Sequence, residues 1–117
     1  MIPASLRFHG HNSLRYVYAN GKAVRSPQLT IKWSKNTHRT TSRISVVVSK
    51  KVLKGAIGRN RIRRRLYEYM RLNESRLTGN FDIVLIVTSP EFQTLPAAEL
   101  SAQLEQLFVK ADLYKTP

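Results

Sequence analysis

Residues 81–88, Phe-Asp-Ile-Val-Leu-Ile-Val-Thr, hold one charge in eight positions and no alternation of polar with apolar. The run is far shorter than the roughly 20 residues that span a bilayer. It is too continuous for a strand with one wet face. It therefore predicts a strand covered on both sides, central in a sheet, ended by Ser89-Pro90. Two more strands follow from the same reasoning. Arg43–Ser49 (RISVVVS) has a β-branched centre, and after Pro27 the apolar Leu29, Ile31 and Trp33 alternate with Thr30 and Lys32. That alternation buries Trp33 with its two neighbours.

Helical spacing fills the rest of the chain. Leu14, Val17 and Tyr18 follow Asn12 or Ser13 as a cap and stop at Asn20-Gly21, where glycine is expected to supply a left-handed conformation. From about Arg59 to Leu72, the apolar positions Ile62, Leu66, Tyr69 and Met70 fall at i, i+4, i+7 and i+8, one buried stripe. Leu100, Leu104, Leu107 and Phe108 make the inner face of a last helix, with Thr94 as N-cap and Pro96 in its first turn. Gly55 and Gly58 are read as loosening the crossover from the second strand to the middle helix. The order is α-β-β-α-β-α, with room for a further short strand. This is an α+β fold with helices packed on a mixed sheet, a single domain over 1–117. Residues 1–11 read as a flexible arm, 34–42 as a mobile polar loop and 78–80 as a turn.

A core of this kind does not need the charge the chain carries. Twenty Lys and Arg face seven Asp and Glu, a net +13, and such a chain repels itself until a polyanion neutralises it. Nucleic acid is the expected partner, because phosphate contacts release counterions. An anionic membrane surface would need a basic helix with its apolar face free, whereas here that face belongs to the core. The absence of cysteine excludes disulfides and thiolate chemistry. The N-terminus has no apolar signal-peptide core, so a cytoplasmic location is expected.

Between Lys50 and Arg65 there are eight basic residues (Lys50, Lys51, Lys54, Arg59, Arg61, Arg63, Arg64 and Arg65) and no acid. At about 100° per residue, Asn60, Arg64 and Arg71 point away from the buried stripe. Arg59, Arg63 and Tyr67 lie along one flank, Arg61 and Arg65 along the other. The two flanks are placed to serve two anionic surfaces at once. The guanidinium fork grips phosphate with paired hydrogen bonds and stacks on bases, and the helix start adds free N–H groups beside Arg59 and Asn60. An ordinary solvated helix would mix its signs, since uncompensated like charges destabilise it.

Other motifs carry less. Gly55-Ala-Ile-Gly58 imitates the GXXG clamp of KH domains, but a KH loop joins two helices and here a strand precedes it. His9, His11 and His38 have no carboxylate or thiolate at ligand spacing, so they read as solvated. The seven acids are scattered and only Glu68 adjoins the basic run, which argues against hydrolysis by the polypeptide. Tyr69 belongs to the core stripe. Tyr18 and Tyr67 are open between a binding groove and the rim of the core.

At Val48-Ser49-Lys50-Lys51, the crossover 52–58 and Arg59-Asn60-Arg61-Ile62-Arg63-Arg64, the chain resembles the protein subunit of bacterial ribonuclease P. The likeness extends to YVYANGKAVRSPQLTI, FDIVLIV and LEQLF, covering roughly residues 6–113. It departs from the family at Ser45, where glycine is usual, at Lys32, where some members have an aromatic, and at Leu14, which replaces a frequent phenylalanine.

The resemblance implies a left-handed β-α-β crossover, against the usual hand. It implies a ribonucleoprotein that removes 5′ leaders from precursor tRNA, with hydrolysis performed by the RNA subunit and its Mg²⁺ and no catalytic residue or metal ligand in the protein. The RNA subunit would meet Lys50, Lys51, Lys54, Arg59, Asn60, Arg61, Arg63, Arg64 and Arg65. The leader would lie in a groove of Leu14, Tyr18, Thr30 and Lys32 with Arg59, Asn60, Arg63 and Tyr67 as its helical wall. Nothing indicates oligomerisation. The alternative is a non-enzymatic ribosomal or structural-RNA-binding protein, which would share the charge but needs no leader groove.

Overall fold

The apolar run at 81–88 forms β4 (Phe81–Val87), and it is central. A computed structural model describes residues 11–36 and 42–115, with side chains in the first helix from Tyr16 onward. The expected arm, apart from its last residue, and the interior of the polar loop lie outside the described residues, as do His9 and His38. In the sheet, β4 sits between β2 (Leu29–Lys35), to which it is antiparallel, and β3 (Arg43–Val48), to which it is parallel. The further short strand is β1 (Lys22–Arg25), paired antiparallel with the outer side of β2. The sheet order is β1-β2-β4-β3.

Both faces of β4 are covered, which explains its missing alternation. Ile83, Leu85 and Val87 join Leu29, Ile31, Ile44 and Val46 in the main core. Beneath the other face runs α1 (His11–Asn20), whose Val17 is fully buried against Val84. The main core is closed by α2 (Ala56–Asn73) and α3 (Ala97–Lys110). α2 buries Gly58, Ile62, Leu66, Tyr69 and Met70, the expected stripe plus one glycine. α3 buries Leu100, Leu104, Leu107 and Phe108.

Three boundaries differ from expectation, each for a physical reason. α2 starts three residues earlier than Arg59, with an extended Gly55 as N-cap and its first turn closed by the Arg59 N–H donating to the Gly55 carbonyl. Gly58 is thus a helical residue. A Cβ there would come within 2.5 Å of the Leu53 side chain, so it is small to admit the crossover rather than to bend it. α3 starts at Ala97 behind Pro96, not behind Thr94, because residues Pro90–Gln93 form a separate 3-10 turn capped by the Ser89 hydroxyl. At the end of α1, no glycine among the described residues has a positive φ. Gly21 is there because a Cβ would sit 2.5 Å from the Val17 carbonyl and 2.7 Å from that of Trp33. Among the described residues, the left-handed one is Asp112, just past α3.

Beyond α3 the chain is fastened by Tyr114, whose ring stacks on Phe108 at 4.9 Å between centroids. Its hydroxyl lies 2.7 Å from that of Tyr69, and the Arg76 guanidinium sits 4.2 Å over its ring. Burial raises the pKa of both phenols above the ordinary tyrosine value near 10. The fold therefore holds their protons more tightly than the unfolded chain does. Their contribution to stability is complete below about pH 10 and drains away as pH climbs beyond it. Melting temperature measured from pH 8 to 11 should fall steeply above 10, and the fall should be shallower in Tyr114→Phe. An identical alkaline slope in the variant would refute this assignment.

Candidate nucleic-acid interface

α2 starts beside the ends of β3 and β4 from which the crossover leaves, and it runs back along the edge strand β3. Its outward side carries Asn60 and Arg64, both exposed. Lys50, Lys51 and Lys54, in the crossover, are exposed as well. Among the described residues, no carboxylate pairs with any basic side chain from Lys50 to Arg65. The ion pairs lie elsewhere, joining Arg71 to Glu68, Arg76 to Glu105 and Arg43 to Asp82.

The two flanks of α2 do different work. Arg61 donates through Nε to the Gln93 carbonyl at 3.0 Å, and Arg65 donates to the carbonyls of Phe92 (2.7 Å) and Leu95. This flank straps down the segment 90–95, so Arg65 in particular has committed donors inside the fold. On the other flank, Arg59 folds back onto the carbonyls of Leu53 (2.9 Å) and Lys54 (2.6 Å), while Arg63 donates to Asn60 Oδ1 at 2.8 Å. Tyr67 reaches the sheet edge, where its hydroxyl accepts the Val46 N–H at 3.2 Å. That amide lies in edge strand β3, and an unpaired, part-buried N–H is costly. Tyr67 is thus partly structural and still half-exposed.

Beside α1, on the sheet face opposite the main core, runs a strip of polar and half-buried residues, the trough. The register sets Thr30, Ile86 and Val47 in one row and Lys32, Val84 and Ser45 in the next. Two strand spacings, about 9–10 Å, separate the β2 and β3 sides. Lys32 Nζ sits 4.9 Å from the centre of the Tyr18 ring, and Tyr18 remains 42% exposed, its phenol raised by the burial of the rest. The structure thus brings Lys32 against Tyr18, with Thr30 one row along the same face, whereas Tyr67 packs against the main core at the β3 edge. The side chain of Leu14 lies outside the described residues. Ile86 and Val47, the half-buried floor, were missed by the sequence reading. They share Thr30's row only through the strand pairing, which the sequence does not show.

Chemically, the trough offers an aromatic face, an ammonium and a hydrophobic floor beside a head of unpaired cations. That combination suits a flexible polyanion with stackable bases.

A family model for Ribonuclease P matches residues 2–112. The chain belongs to the Ribonuclease P family. It is 35% identical over 115 residues to the ribonuclease P protein component of Pseudanabaena sp. (strain PCC 6903), covering 95% of each chain. It is 30% identical to that of Syntrophobacter fumaroxidans, covering 92% of this chain and 94% of the other. The ribonuclease P protein of Thermotoga maritima superposes with a TM-score of 0.78 at 25% identity, over 89% of this chain and 96% of that one. The Staphylococcus aureus protein shares the fold with a TM-score of 0.82 at 22% identity, over 94% and 98%. The chain is therefore the protein component of ribonuclease P, an accessory subunit of a tRNA-processing ribonucleoprotein whose other part is RNA. These relatives lend nothing to the ribosomal alternative. No described helix is long and apolar enough to cross a membrane.

Proposed function

We propose that this subunit works in the cytoplasm, docking the ribonuclease P RNA on the basic head of α2 while the trough holds the 5′ leader of precursor tRNA. The observation that carries the reading is the pairing of two surfaces joined by one helix and its sheet. Exposed, unpaired Arg64 on the helix continues Lys50, Lys51 and Lys54 just before it, and Arg63 and Tyr67 lie on the flank turned toward edge strand β3, in the sheet whose other face carries Lys32 against Tyr18. Helix and sheet thus link an RNA scaffold to a single strand. Leader bases stack on Tyr18, and their phosphates meet Lys32 and Arg63, contacts that tolerate any sequence. Among the described residues, no three His, Asp or Glu side chains gather to hold a cation. On this reading the RNA subunit holds the Mg²⁺.

Adding the protein to a bacterial-type ribonuclease P RNA at low Mg²⁺ should restore leader cleavage. Tyr18→Ala should weaken binding of precursor tRNA by about tenfold, the worth of one stacked base, and leave mature tRNA unaffected. No stimulation with a matched RNA, or an equal loss for mature tRNA, would overturn the proposal.

A further inference from the structure

A second recess, of about 300 Å³, opens at the far end of the sheet from the start of α2, and nothing above uses it. Tyr16, Asn20, Lys22, Ser34, Lys35 and Phe81 line it. The register places it there, since Lys35 pairs with Phe81 at the entry of β4 and Lys22 pairs with Trp33. β2 is seven residues long, so the recess lies about 20 Å from the α2 end of the sheet.

We infer that this recess is a second nucleotide site, taking a base and phosphate of the leader strand after it leaves the trough. The inference rests on the leader reading above. Tyr16 is 58% exposed, a large aromatic face with no packing role. Lys22 and Lys35 are exposed and have no carboxylate partner among the described residues. Asp82, across the ladder from Ser34, is already engaged by Arg43 and Asn36. An exposed tyrosine and two lysines lining one recess, with amide and hydroxyl groups at hand, have the composition of a single-strand stacking site.

Helix geometry separates this site from the trough. Tyr16 and Tyr18 are two residues apart, about 200° around α1, with Val17 between them pointing into the sheet. One flank therefore faces the trough and the other the recess. A strand using both rounds the C-terminal end of α1 at Asn20-Gly21. That end presents the negative pole of the helix and no basic residue in its last turn. A phosphate passing there needs outside cations, and Lys22 and Lys35 supply them.

The test is a precursor tRNA series with the leader lengthened one nucleotide at a time, bound to the reconstituted holoenzyme. Tyr16→Ala should leave short leaders untouched and cost about tenfold in affinity once the leader is long enough to clear the trough. Lys22→Ala/Lys35→Ala should lower the salt slope by roughly 0.7 per lysine, for long leaders only. Tyr18→Ala, run alongside, should act at shorter leaders. All four positions are exposed, so melting temperatures should match the parent. Equal loss at every leader length would assign the recess to the RNA subunit or the tRNA body and overturn the inference. So would no loss at any length. If Tyr18→Ala is also silent throughout, the trough reading falls with it; if only Tyr16→Ala is silent, the trough stands alone.

Discussion

Replacing Lys51 and Arg64 together by alanine should weaken binding of the ribonuclease P RNA by at least about 100-fold near physiological salt. Each position presents an exposed cation with no internal partner, so its donors are free for phosphate. A hydrogen bond to a charged group contributes about 1.5–3 kcal/mol, and two lost bonds compound. The slope of log affinity against log salt should shrink by roughly 1.8, because about 0.9 of a counterion is released per duplex phosphate neutralised. Arg65→Ala is the control that gives this meaning. Its guanidinium is tied to the carbonyls of Phe92 and Leu95, so its loss should destabilise the fold by about 1.5–3 kcal/mol and barely move the slope. Binding titrations at several salt concentrations, paired with urea melts, separate the two. An unchanged slope in Lys51→Ala/Arg64→Ala would show that the head of α2 does not dock on phosphate.

The contrast between Arg64 and Arg65 also marks how far the sequence could be read. Periodicity placed Ile62, Leu66, Tyr69 and Met70 in the core and sorted the arginines onto their flanks, because a helix repeats its own geometry. It could not show what stands opposite a flank. The acceptors for Arg61 and Arg65 are backbone carbonyls some 30 residues away, and carbonyls leave no trace in composition. The same holds for Tyr67, whose hydroxyl answers the Val46 N–H across 21 positions. The further short strand, β1, could be allowed for but not placed, because four residues with one buried side chain give too little pattern. Gly21 was identified as a stop for the wrong cause. Its missing Cβ avoids two carbonyls, one of them Trp33's, and only the packed sheet reveals that approach. The trough needed pairing register as well as strands, since Thr30, Ile86 and Val47 share a row only once β2, β4 and β3 are aligned.

Register matters most where the one acid of β4 sits, and there the largest stability effect is expected. Asp82 accepts from Arg43 Nε at 2.9 Å and Nη2 at 2.7 Å, and from Asn36 Nδ2 at 2.9 Å. The side chains of Arg43 and Asp82 are 15% and 12% exposed. A forked pair so shielded is far from a surface ion pair, whose worth is about 0–1 kcal/mol. Asp82→Ala removes the carboxylate facing a nearly buried guanidinium, a change that costs about 3–5 kcal/mol. For a chain of this size, that lowers the melting temperature by roughly 10–20 °C. The desolvation of Arg43 causes most of this loss, so removing that charge too should restore much of it. Arg43→Met/Asp82→Leu should therefore melt well above Asp82→Ala, as buried pairs replaced by apolar residues commonly do. Asn36 and Arg43 bracket residues 37–41, so the clip also joins β2 to β3 at the end of the sheet that holds the Tyr16 recess. A loss below about 1 kcal/mol in Asp82→Ala, or no recovery in the double variant, would mean that this end of the sheet is held by something other than the pair.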